Sequence, residues 1–165
     1  MSAELAIGHD GTMAADPFKD FGAPAAAADG PDQPRVRSPR APSTLAQART
    51  CYDHLAGRLG VQVTAAMTSA GLIDQHSGLA LTQTGLDWLA ETLEIDVDAL
   101  SAARRPLARS CIDWTERRPH LAGGAGAAMC AQFFARGWIR RTGPSRAVVV
   151  TPAGDQALRR LGLSG

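Results

Sequence analysis

The sequence predicts a mainly helical α+β fold: a tandem pair of winged-helix-like units behind a disordered N-terminal tail. Three observations carry this reading. The composition changes near residue 42, the chain repeats itself at a spacing of 66 residues, and a helix–hairpin–helix pattern occurs in both copies. The expected boundaries are 1–42 for the tail and linker, 43–102 for the first unit and 103–165 for the second.

Residues 1–42 hold most of the prolines, many Gly and Ala, and almost no periodic apolar pattern. Such a segment buries too little apolar surface to offset its ordering entropy, which predicts disorder. Residues 34–42 (PRVRSPRAP) read as an extended basic linker. Ser43 or Thr44 then caps a predicted helix reaching Gly57, with Leu45, Tyr52 and Leu55 along one side.

Sliding the chain by 66 residues sets His54-Leu55-Ala56-Gly57 on His120-Leu121-Ala122-Gly123. The same offset sets Gly60 on Gly126, Ala65 on Ala131, Gly71 on Gly137 and Ile73 on Ile139, eight identities in 20 ungapped positions. Three extra residues in the second copy then bring Thr82 and Gly85 onto Thr151 and Gly154. Alanine pairs arise by chance in so alanine-rich a chain; the His, Gly and Thr matches point to a duplication.

Each copy reads alike. An apolar helix closes at Gly71 or Gly137, where a left-handed residue suits a helix end. A short strand follows, Leu72-Ile73 or Trp138-Ile139-Arg140, then a turn at Ser77-Gly78 or Gly143-Pro144-Ser145. The return strands are Leu79-Ala80-Leu81 and Ala147-Val148-Val149-Val150. Thr82 or Thr151 caps the next helix, and Pro152 after Thr151 strengthens the signal because a first-turn proline wastes no donor. Leu86, Leu89 and Leu93 recur at helical spacing, as do Ala157, Leu158 and Leu161. Helix, two-stranded wing, helix is the closing half of a winged-helix domain. Between the copies, residues 106–118 read as a helix stopped by Pro119.

Charge is unevenly spread. Net charge is +1, but residues 1–102 carry six basic and 13 acidic side chains while residues 103–165 carry 11 basic and three acidic. That asymmetry hints at an anionic partner for the second half. Of the 17 basic residues all but Lys19 are Arg, which with the Ala, Gly and Pro content fits a high-GC bacterial coding bias. Three cysteines without a CxxC pair fit free thiols in a reducing compartment. No apolar stretch approaches the length of a membrane span and no secretory signal opens the chain, so the expected location is cytoplasmic.

Two strings, ARTCYDHLAGRLGV (48–61) and CIDWTERRPHLAG (111–123), resemble the C-terminal half of the longer ArsR-type bacterial transcriptional regulators. GWIRRTGPSRAVVVTPAG (137–154) extends the match, so that the resemblance covers about residues 34–163. In that family an N-terminal winged helix binds DNA and a half like this one follows it. The resemblance implies a regulator without its DNA-reading domain, since residues 1–33 are too short and irregular to supply one.

Candidate chemistry is sparse. Residues 55–73 superficially read as helix-turn-helix, but the would-be recognition helix at 62–70 has one Gln, two Thr, one Ser and no positive charge. Its counterpart at 128–135 is apolar except for Gln132. Base reading needs Arg, Lys, Asn or Gln aimed at base edges, so both are expected to pack in the core. Arg136, Arg140, Arg141 and Arg146 crowd the second wing, with Arg159 and Arg160 on the helix beyond. They are either a solvated face with Arg stems over apolar surface or phosphate contacts. Cys51, Asp53 and His54 form the densest ligand-capable cluster; on a helix Cys51 and His54 would share a face and could grip a soft divalent metal. Cys111, Asp113 and His120 would supply the remaining ligands if the repeats pack face to face. The bland alternative is a small buried Cys and a helix His bonded to a neighbouring carbonyl. Cys130 reads as core. A Cys51–His54 catalytic dyad lacks an orienting third group and an oxyanion-hole loop, and Gly123, Gly124 and Gly126 read as interrupting a helix and following no strand, so no phosphate-binding loop is expected. No enzyme is expected.

The functional expectation is the regulatory or assembly half of an ArsR-like regulator, acting through self-association or a full-length relative. Its runner-up is non-specific nucleic-acid binding through the basic second wing; a third reading is a truncated remnant without present function.

Overall fold

Two β-hairpins, each running straight into a helix, set the plan of the protein. The computed structural model describes residues 43–76 and 78–163. The expected disorder of residues 1–42 lies outside these. A short helix, α1 (Ser43–Gln47), leads into the first hairpin, β1 (Arg49–Cys51) and β2 (His54–Ala56). Then come α2 (Gly57–Ser69), the wing β3 (Ile73–Asp74) and β4 (Ala80–Leu81), α3 (Gln83–Leu93) and α4 (Val97–Ala102). The second hairpin, β5 (Arg109–Ile112) and β6 (Pro119–Ala122), is followed by α5 (Gly123–Ala135), the wing β7 (Ile139–Arg141) and β8 (Val148–Val150), and α6 (Pro152–Arg160). Each of the four strand pairs is antiparallel.

The local reasons repeat from copy to copy. Gly57 and Gly123 take left-handed φ values of 73° and 88°, which let a strand turn directly into a helix. A side chain at either would strike backbone: its Cβ would lie 2.8 Å from Ala46 O or 2.7 Å from Pro106 O. The helices end with equivalent bonds, Leu72 N to Met67 O at 2.9 Å and Trp138 N to Phe133 O at 2.8 Å. Thr82 and Thr151 cap α3 and α6 by accepting from Gly85 N and Gly154 N, both at 3.0 Å. Their hydroxyls also donate back to Gly71 O at 2.8 Å and Gly137 O at 2.7 Å. These paired bonds keep the 66- and 69-residue offsets seen in the sequence.

Two sequence expectations are overturned here. The helix expected from residue 44 to Gly57 stops at Gln47, and the helix expected at 106–118 does not form; hairpins stand in both places. In the first, Tyr52 adopts φ 56° and is 90% exposed, so it does not join Leu45 and Leu55 on a buried face. In the second, Asp113 turns the chain by accepting from Thr115 N and Glu116 N at 2.9 and 3.0 Å, and Arg117 takes φ 55°. A short side chain that bonds its own backbone competes directly with helix formation. Tertiary pairing completes the switch: Thr50 N donates to Arg146 O at 3.0 Å and Val148 N to Ala48 O at 3.1 Å, joining β1 to β8 of the other repeat.

The repeats are interlocked. Helix α2 packs on β6 and α5 on β2, each helix against the other copy's hairpin. Thr64 shows how: its hydroxyl donates to Gly60 O and accepts from Leu121 N, both at 2.8 Å. One hydrophobic cluster therefore takes Leu55, Leu59, Val63 and Met67 from the first copy and Leu121, Ala125, Met129 and Phe133 from the second. Cys130 is buried in it, as expected. No helix among the described residues is long and apolar enough to cross a membrane.

Candidate metal centre

Directly opposed residues of an antiparallel pair put their side chains on the same face, with Cβ atoms about 4.5–5.5 Å apart. In the first hairpin Cys51 opposes His54; in the second Cys111 opposes His120. Cys51 and His54 thus meet across a ladder and not along a helix, which corrects the basis of the sequence expectation. The second pair reaches the same geometry through a longer loop, residues 113–118. The two hairpins meet at β2 and β6, and the His54 and His120 rings stack with centroids 5.1 Å apart. One donor atom from each of Cys51, His54, Cys111 and His120 lies within 4.8 Å of all the others.

Both histidines are buried and both cysteines partly so. The two Nε2 atoms face each other at 3.2 Å. Burial lowers the pKa of both rings, that of His120 to about 4, so the charged form is disfavoured in each. His54 Nδ1 lies 3.4 Å from Asp53 Oδ1. Arg105 in turn grips Asp53 at 2.5 and 3.0 Å, holding its carboxyl down at about pKa 2. His120 Nδ1 is buried without a hydrogen-bond partner among the described residues. Burial, and then the neighbouring Cys51 thiol, push Cys111 upward.

Asp113, expected as a ligand beside Cys111, has another task. Its Oδ2 accepts from Arg49 and from Gly57 N, both at 2.7 Å, and its Oδ1 from Thr115 and Glu116. Burial works against its charge, but these donors outweigh it and keep the carboxyl well below the usual range. Arg49 is 1% exposed, also donates to Leu45 O at 2.8 Å, and lies over the Trp114 ring at 4.8 Å. The pair ties β1 to the turn after β5. Sequence reasoning missed Arg49; the available signal was the Cys-x-Asp string shared by the two hairpins, Cys51–Asp53 and Cys111–Asp113. Asp53 also fills the place of the third group expected to be missing beside a Cys51–His54 dyad.

The basic wing divides. Arg136 donates to Thr92 O at 3.1 Å and pairs with Glu94 at 3.0 Å, and Arg141 lies over the Phe134 ring at 5.3 Å. Arg140, Arg141 and Arg146 are exposed on the hairpin, while Arg159 is held by Asp155. The would-be recognition helices at 62–70 and 128–135 belong to the continuous helices α2 and α5, with no turn to split them. Their buried faces carry Val63, Thr64 and Met67, and Met129, Cys130 and Phe133.

The described residues thus form a doubled hairpin–helix–hairpin–helix arrangement with a Cys/His cluster where the two hairpins meet. The chain is 35% identical over 114 residues to the uncharacterized HTH-type transcriptional regulator YdfF of Bacillus subtilis (strain 168). The match covers 68% of this chain and 50% of that protein, so the chain spans about half the relative's length. This similarity relates the chain to transcriptional regulators. No family model matches it. No solved structure matches it either.

Proposed function

We propose that the chain is the regulatory or assembly half of an ArsR-like winged-helix transcriptional regulator, equivalent to the C-terminal half of its longer relatives. The observation that carries this is the packing of α2 and α5. Each lays its apolar side on the opposite repeat's hairpin, and of the basic and amide side chains that read base edges α2 carries only Arg58 and Gln62 and α5 only Gln132. The similarity to half of a helix-turn-helix regulator fits a division of labour in which DNA reading belongs elsewhere. The half acts without catalysis, through self-association or by pairing with a full-length relative.

The second reading rests on the exposed Arg140, Arg141 and Arg146 of the β7–β8 wing, which suit phosphate contact. A titration against a duplex library near physiological salt separates the two. The expected result is weak binding, roughly 10⁻⁴–10⁻⁶ M, nearly equal for unrelated duplexes and steeply salt-dependent. Arg140→Ala with Arg141→Ala should lower it uniformly. Recovery of one motif at nanomolar affinity would overturn the regulatory-half reading.

A further inference from the structure

We propose that Cys51, His54, Cys111 and His120 bind one zinc(II) ion that staples the two repeats together at their hairpins. Each repeat supplies one sulfur and one nitrogen, from the same pair of opposed strand positions, although the sequence spacing is three residues in one and nine in the other. That shared outcome from unlike loops is not expected of four unrelated core residues. Zinc in such an S₂N₂ set is tetrahedral, with bonds of about 2.0–2.1 Å to nitrogen and 2.3 Å to sulfur. Those bonds place neighbouring donors roughly 3.3–3.8 Å apart. The facing Nε2 atoms, at 3.2 Å, already stand at one such edge, and all four donors fall within 4.8 Å.

The surroundings fit as well. Asp53, 3.4 Å from His54 Nδ1 and fixed by Arg105, stands where a carboxylate orients a ligating imidazole. His120 Nδ1, the ring nitrogen that does not face His54, has no such orienting partner among the described residues. On binding, two Zn–S bonds form as the two S–H bonds break, and the two protons pass to solvent. The two thiolates then cancel the charge of the ion, so the buried centre is neutral. Thiolate donors select against magnesium and calcium. Four protein ligands leave no position for a reactive water, so the site clamps or senses and does not hydrolyse. The partial exposure of both cysteines leaves the ion a route in from the surface.

Binding is a property of this chain by itself and stands apart from the regulatory reading; DNA titrations can fail while this holds. The test takes the reduced, metal-free 165-residue chain and titrates it with cobalt(II), then zinc(II). The expected result is one equivalent bound per chain, with the visible bands of tetrahedral cobalt and a thiolate-to-cobalt charge-transfer band. One equivalent of zinc should bleach both and raise the melting temperature, since a ligand of the folded state stabilises it. Cys51→Ser and Cys111→Ser should each diminish the charge-transfer band and end stoichiometric binding, while Cys130→Ser changes neither. Asp53→Asn, which keeps all four donors, should weaken zinc about 10–100-fold. If a serine variant does not fold, the wild-type titration still decides. A folded, reduced chain with no thiolate–cobalt band overturns the proposal, as does a Cys51→Ser variant that binds like the parent. So does a chain purified under reducing conditions whose Cys51 and Cys111 are already joined as a disulfide.

Discussion

Asp113 is withdrawn from water yet stays ionised, because five hydrogen bonds from Arg49, Gly57, Thr115 and Glu116 converge on its two oxygens. Removing one partner of a buried pair is far costlier than the pair is worth, since it leaves a charge without its counter-charge. Arg49→Met should therefore lower unfolding stability by about 3–5 kcal/mol in a urea titration. A loss under about 1 kcal/mol would mean that the backbone amides alone satisfy Asp113. The Asp53–Arg105 pair has the opposite character. Both side chains are roughly half exposed, so solvent screens them, and Arg105→Ala should change stability by no more than about 1 kcal/mol. Its effect should fall on metal affinity through Asp53.

At the scale of elements, the closing helix of each copy is seated by one glycine and one threonine. A Cβ on Gly85 would overlap the Leu72 carbonyl, and one on Gly154 the Trp138 carbonyl, both of them backbone that has no free rotor to move aside. Gly85→Ala or Gly154→Ala should cost about 1–3 kcal/mol or more by prising the helix off its wing. Thr82→Ala and Thr151→Ala should each cost about 1 kcal/mol, the worth of an N-cap. Thermal melts of the four variants check the order. If the alanine at Gly85 is tolerated as well as the one at Thr82, helix and wing do not touch as closely as described. The wings themselves were foreseeable because the turn glycines and the Thr caps act within a few residues. The hairpins β1–β2 and β5–β6 were not, because residues 44–57 and 106–118 carry an acceptable helical pattern, and it takes the Asp113 turn together with packing on the other repeat to make them strands.

For the whole molecule, one core built from both copies means that neither copy should stand alone. Helix α2 needs β6 and α5 needs β2, so a fragment of residues 43–102 would expose Leu59, Val63 and Met67 to water. That fragment should show no cooperative thermal transition, and mixing it with residues 103–165 should restore one. A sharp melt of the isolated fragment would mean two independent domains that merely touch.

The sequence alone determined the repeat, the helix–hairpin–helix order within each copy and the Thr caps, and it singled out the four Cys and His side chains that the fold brings together. The repeat rests on identities 66 residues apart, and the others on residue type and short-range spacing. The tertiary structure decided that Cys51 and His54 oppose each other across a ladder, that Cys111 and His120 join them from the other repeat, and that Arg49 meets Asp113. Partners separated by about 60 residues are set by how two surfaces pack, and no local period along the chain encodes which face of one hairpin will meet the other.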